Sequence, residues 1–96
     1  MILMEFRVLQ YFLAIAREET ISQAAESLHI TQPTLSRQMK ELEEQLGKQL
    51  FIRGNRKINL TEEGILLRQR AEEIISLVEK TESEIMHSDT TISGDI

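Results

Sequence analysis

The sequence predicts a mainly α fold: three helices and a small β-hairpin, followed by one long final helix. Three observations carry that expectation. Apolar residues recur at helical spacing over most of the chain, helix-capping signals stand ahead of three of the four helices, and only Phe6, Tyr11, Phe12 and Phe51 are aromatic, which leaves the core to Leu, Ile, Met and Ala. With 96 residues the chain can bury one such core but not a second independent one.

The first helix is expected over residues 4–18, where Phe6, Leu9, Leu13 and Ala16 share a face that Phe12 and Ile15 widen. "TISQ" at 20–23 matches a capping box, with Thr20 reaching forward to the third helical amide and Gln23 reaching back. Ile21, Ala24, Ala25 and Leu28 then form the buried face of a short second helix that ends near His29. The third helix follows after two or three residues. Thr31 is its N-cap, Pro33 occupies the first turn where its missing N–H has no partner to lose, and Ile30 with Leu35 form a hydrophobic staple. Leu35, Met39, Leu42 and Leu46 make the buried stripe and Gly47 supplies a left-handed stop. Pro33, Arg37, Lys40 and Glu44 therefore point away from the stripe, with Thr34, Ser36 and Glu41 on its flanks.

A short helix, a tight turn and a longer helix whose exposed first half offers Gln32, Thr34, Ser36, Arg37 and Lys40 is the layout of a helix-turn-helix. These side chains suit a DNA groove. Gln can bond adenine bidentately, Arg can bond guanine, a Thr methyl can touch a thymine methyl, and the first amides after Thr31 can meet a phosphate. Phosphates would repel Glu41, Glu43 and Glu44, so the helix is expected to enter the groove by its N-terminal end only.

After Gly47, the apolar runs Leu50, Phe51, Ile52 and Ile58, Leu60 flank the polar turn "RGNRK", which reads as a β-hairpin. Arg53, Arg56 and Lys57 at its tip suit a phosphate backbone or a minor groove, and the whole reads as a winged helix-turn-helix. Thr61 caps the last helix, with Glu62 and Glu63 in the first turn where the macrodipole favours them. Leu67, Ala71, Ile74, Val78, Thr81 and Ile85 follow at heptad spacing over a helix roughly 40 Å long. That seam is expected to pair with a second copy of itself; packing back on the domain is the alternative. Residues 1–60 are thus expected to be the DNA-binding domain and 61–88 the linker and dimerisation helix.

A net charge of −5 argues against nucleic acid only until it is divided along the chain. Residues 1–60 carry eight Lys and Arg against seven acids, residues 61–96 three against nine, and residues 31–57 six against three. Positive charge gathers where the helix-turn-helix and wing lie.

Other classes find little support. There is no cysteine, which excludes disulfides and thiolate metal sites and suits a cytoplasmic setting. His29 and His87 lack neighbours that could complete a metal site, and no phosphate-binding glycine loop or catalytic constellation is present, so neither cofactor nor enzymatic activity is expected. Glu5 and Arg7 interrupt the apolar start, so no signal peptide or membrane span is expected. The rival reading from another class is a winged helix used for protein assembly, with the acidic helix as its main surface and no nucleic acid bound.

Residues 4–88 resemble, without a gap, the N-terminal DNA-binding domain of LysR-type transcriptional regulators. The resemblance rests on "AA" in the second helix, "QPTLSRQ" opening the third, "LEEQLG" closing it, "LFIR" into the wing and "LTEEG" starting the last helix. It implies major-groove contacts from Gln32, Pro33, Ser36 and Arg37, wing contacts from Arg53 and Arg56, and a homodimer on an imperfect palindromic duplex. The chain departs from the family pattern at Asn55 and Lys57, where other members often carry Ser and Pro. "TTISGDI" resembles the junction to an effector-binding domain, so residues 89–96 are expected to begin a hinge, with any small-molecule effector bound beyond it.

Overall fold

The computed structural model describes residues 4–54 and 56–88. Its elements are α1 (Phe6–Glu18), α2 (Ile21–Leu28), α3 (Gln32–Leu46), β1 (Phe51–Arg53), β2 (Ile58–Leu60) and α4 (Glu62–Met86). α1 begins two residues later than expected because Glu5 is extended and serves as the N-cap, its carbonyl accepting the Leu9 N–H at 3.1 Å.

The other helix starts follow the capping chemistry. Thr20, Thr31 and Thr61 each accept an N–H three residues ahead, from Gln23 at 3.1 Å, Thr34 at 3.3 Å and Gly64 at 3.0 Å. Of the capping box at 20–23 only this forward arm forms among the hydrogen bonds of the described residues; the Gln23 side chain is exposed and does not reach back. Three helices stop in the left-handed conformation, at Glu19 (φ 68°), His29 (φ 61°) and Gly47 (φ 71°). Only the last is a glycine, and the other two cost roughly 1 kcal/mol each in backbone strain.

α1, α2 and α3 enclose one core. Phe12, Ile15, Leu35, Met39, Leu42 and Leu50 are fully buried in it, and each contributes about 1.5–3 kcal/mol relative to exposure. β1 and β2 form an antiparallel pair with Phe51 opposite Leu60 and Arg53 opposite Ile58. Phe51 turns inward to meet Phe12, their ring centroids 5.3 Å apart, which seats the hairpin on the helices.

α4 packs along α1 and buries Ala71 completely, while Leu67 lies half-buried against the core. Its start is held by Thr61, whose hydroxyl donates to the Gln49 carbonyl at 2.7 Å and whose N–H donates to the Leu50 carbonyl at 3.1 Å. No helix among the described residues is long and apolar enough to cross a membrane.

Candidate nucleic-acid interface

α3 divides cleanly along its length. Its buried stripe, Leu35, Met39 and Leu42, is locked in the core, while Gln32, Pro33, Ser36, Arg37 and Lys40 are exposed at the N-terminal end. Arg37 and Lys40 pair with no carboxylate among the described residues, so both cations face solvent uncompensated. Thr31 is exposed at the cap and donates its hydroxyl to that of Thr34 at 2.8 Å, which leaves Thr34 half-buried beside it. The structure thus brings Thr31, Gln32, Pro33, Thr34, Ser36, Arg37 and Lys40 onto one helix end, where free amides and the helix dipole add further positive character.

The wing cations are less alike than the sequence suggests. All three are exposed, but Arg53 lies 4.0 Å from the Glu43 carboxylate and 5.9 Å from the Phe51 ring centroid, and Lys57 pairs with Glu19 at 3.3 Å. Arg56 has no such partner among the described residues. The turn between the strands closes through the Gly54 N–H, which donates to the Lys57 carbonyl at 3.3 Å.

Two residues of this site escape a reading by residue type. Glu43, one of three glutamates expected to stay clear of phosphates, accepts the Leu50 N–H at 2.8 Å and the Phe51 N–H at 3.3 Å. Glu19 accepts the Ile58 N–H through its carbonyl at 2.8 Å. A signal for Glu43 does exist: at about 100° per residue it lies roughly 80° from Leu35, nearer the buried stripe than Glu41 or Glu44.

The residues of the α4 heptad seam separate. Ala71 is fully buried within the chain and Leu67 is packed against its core, so both already have cover; Val78 is half-buried, and Ile74 and Ile85 are exposed. Leu66 and Leu77, outside the expected seam, are exposed as well. Residues 89–96, with the expected hinge, lie outside the described residues.

Residues 6–65 match the bacterial regulatory helix-turn-helix protein, lysR family. The chain belongs to the LysR family. Among LysR-family relatives, the HTH-type transcriptional regulator BsdA of Bacillus subtilis (strain 168) is 42% identical over 92 residues, covering 95% of this chain and 32% of that protein. BenM of Acinetobacter baylyi (strain ATCC 33305 / BD413 / ADP1), also an HTH-type transcriptional regulator, is 46% identical over 77 residues, covering 80% of this chain and 25% of that one. The chain therefore spans about a third or less of the length of these LysR relatives. In three dimensions it is similar to the BenM DBD in complex with catB site 1 DNA (TM-score 0.83, 43% identity, covering 86% of this chain and 93% of that one). The CbnR DBD–DNA complex is similar too, with a TM-score of 0.82 at 38% identity, covering 88% of this chain and 98% of that one. The mainly α winged helix-turn-helix expected from the sequence is the fold of these LysR domains.

Proposed function

We propose that this chain binds double-stranded DNA in a sequence-specific manner, as a homodimer, and thereby regulates transcription. The observation that carries the reading is the exposed N-terminal half of α3, where Gln32, Ser36, Arg37 and Lys40 stand free while the opposite face is fixed in the core. A rigid helix end with polar and cationic tips fits a major groove, and its side chains match base edges there. Thr31, Pro33 and Thr34 complete that surface, and the wing turns Arg56 toward the phosphate backbone or minor groove, while Arg53 and Lys57 beside it are paired with Glu43 and Glu19. The DNA complexes of BenM and CbnR domains, similar over most of this chain, support DNA as the partner.

α4 supplies the second half of the function. Its uncovered side presents Leu66, Ile74, Leu77 and Ile85, which pair with the same helix of a second copy, while Val78 borders that face. Two winged domains then read two half-sites of an imperfect palindrome, which one short helix end is too small to specify alone. On this reading residues 1–60 are the DNA-binding domain, 61–88 the linker and dimerisation helix, and 89–96 the start of a hinge to an effector-binding domain. The protein acts in the cytoplasm and carries no catalytic chemistry of its own.

Selection of bound duplexes from a random pool tests the proposal. Enrichment of a two-fold related pair of half-sites, bound with a steep salt dependence, is the expected result. A chain that enriches nothing and shows no salt-dependent duplex binding would leave only the reading as a protein-assembly module.

A further inference from the structure

Three glutamates lie close together on α3, yet Glu43 alone is drawn inward, its side chain 12% exposed. One carboxylate oxygen accepts both the Leu50 and the Phe51 N–H, and the other faces the Arg53 guanidinium. A single side chain on the recognition helix thus holds the entry to β1 and the cation at its far end. Such a tie matters because the wing is only two strands of three residues, too small to hold its own position in water. Charge-assisted N–H···O bonds are roughly twice as strong as neutral ones. Glu19 makes a comparable foothold under β2, through its carbonyl to Ile58 and its carboxylate to Lys57.

We propose that Glu43 is a positioning residue for DNA binding: it fixes the wing at one spacing from the recognition helix and keeps Arg53 as its internal counter-charge. Arg53 therefore adds nothing to the number of phosphates the protein neutralises. The consequence for DNA rests on the function proposed above; the tie itself does not.

The test uses the whole chain and a duplex recovered by selection. Glu43→Gln keeps a carbonyl oxygen for the two amides but turns an NH2 group toward Arg53. Glu44→Gln, on an exposed neighbour without that partner, removes the same charge. Each phosphate contact contributes a slope of about 0.9 to the dependence of log affinity on log salt. Arg53→Ala is expected to leave the slope unchanged and Glu43→Gln to steepen it by about 1, an increase that adding Arg53→Ala abolishes. A flatter slope for Arg53→Ala in the wild-type background, or an equal effect of Glu44→Gln, would overturn the counter-charge role. Amide hydrogen exchange decides the tie without DNA: protection of Leu50 and Phe51 should persist in Glu43→Gln and fall at least about tenfold in Glu43→Ala, as expected when a local bond is lost. Equal protection in both variants would overturn the tie. Failure of the wild type to bind any duplex would remove the DNA reading and the counter-charge role of Arg53 with it, while the exchange result would still decide whether Glu43 holds the wing.

Discussion

Gly64, in the first turn of α4, sits so close on the main-chain carbonyl of Leu50 that no β-carbon fits between them. The Leu60 Cβ and the Leu50 carbonyl carbon close the same space, each 3.1 Å from where a Gly64 side chain would begin. The angle at which the long helix leaves the wing is therefore set by a residue without a side chain.

Gly64→Ala should destabilise the protein by about 1–3 kcal/mol, although alanine is the better helix former by about 1 kcal/mol. The two Leu50 atoms are backbone and the Leu60 Cβ is fixed directly to it, so none can rotate away and overpacking outweighs propensity. Urea unfolding of the two proteins measures the difference, and an equally or more stable alanine variant would mean that α4 shifts at little cost.

The Thr61 hydroxyl joins the same corner by two bonds, accepting the Gly64 N–H and donating to the Gln49 carbonyl. Thr61→Ala should cost about 1–2 kcal/mol, and Thr61→Ser, which keeps the hydroxyl, should recover most of it. Thermal unfolding of the pair checks this. A serine variant as weak as the alanine one would shift the credit to the methyl group.

Arg37→Ala should cost about 1–3 kcal/mol on the preferred duplex and far less on unrelated DNA, because an exposed arginine without an internal partner is free to bond a base edge. Titrations of both duplexes at one salt concentration separate the roles. An equal loss on the two would assign Arg37 to a phosphate.

The two sides of α4 should respond differently to a buried charge. Ile74 is 41% exposed and Leu77 62% exposed, so Ile74→Asp and Leu77→Asp should leave the fold intact and convert a dimer to monomer. Ala71 is fully buried within the chain, so Ala71→Asp should unfold it or detach α4. Sedimentation with circular dichroism distinguishes these outcomes; a wild-type monomer at tens of micromolar would remove α4 from its proposed role.

The fold is largely legible in the sequence because its signals are local. Thr20, Thr31 and Thr61 announce helix starts, Gly47 announces a stop, and Leu35, Met39 and Leu42 declare their buried face by spacing alone. α1 is less sharply marked at its start, since Glu5 caps with its backbone and no side chain bonds there. Ties across longer separations are hidden. Glu43 meets amides seven and eight residues away, and in a run of glutamates its type resembles solvated surface. Periodicity likewise shows that α4 has an apolar stripe but not what covers it, which is why Ala71 and Ile74 stand in one heptad pattern and yet in opposite environments. The distinction among Arg53, Arg56 and Lys57 depends on where Glu43 and Glu19 come to rest, and no spacing rule contains that.

Past Ala71, α4 runs on to Met86, and the described residues extend 59 Å along their longest axis. That stretch is about 22 Å at 1.5 Å per residue and, beyond the half-buried Ile75 and Val78, is exposed as far as Met86, so it acts as a pointer on a small footing. A tilt of about 5° at Ala71 would sweep Met86 through roughly 2 Å, about half the width of a side-chain contact, at the given rise per residue. The fit of Gly64 on Leu50 therefore governs accuracy at a distance: slack too small to register in the core becomes a misaligned seam at the far end of the rod.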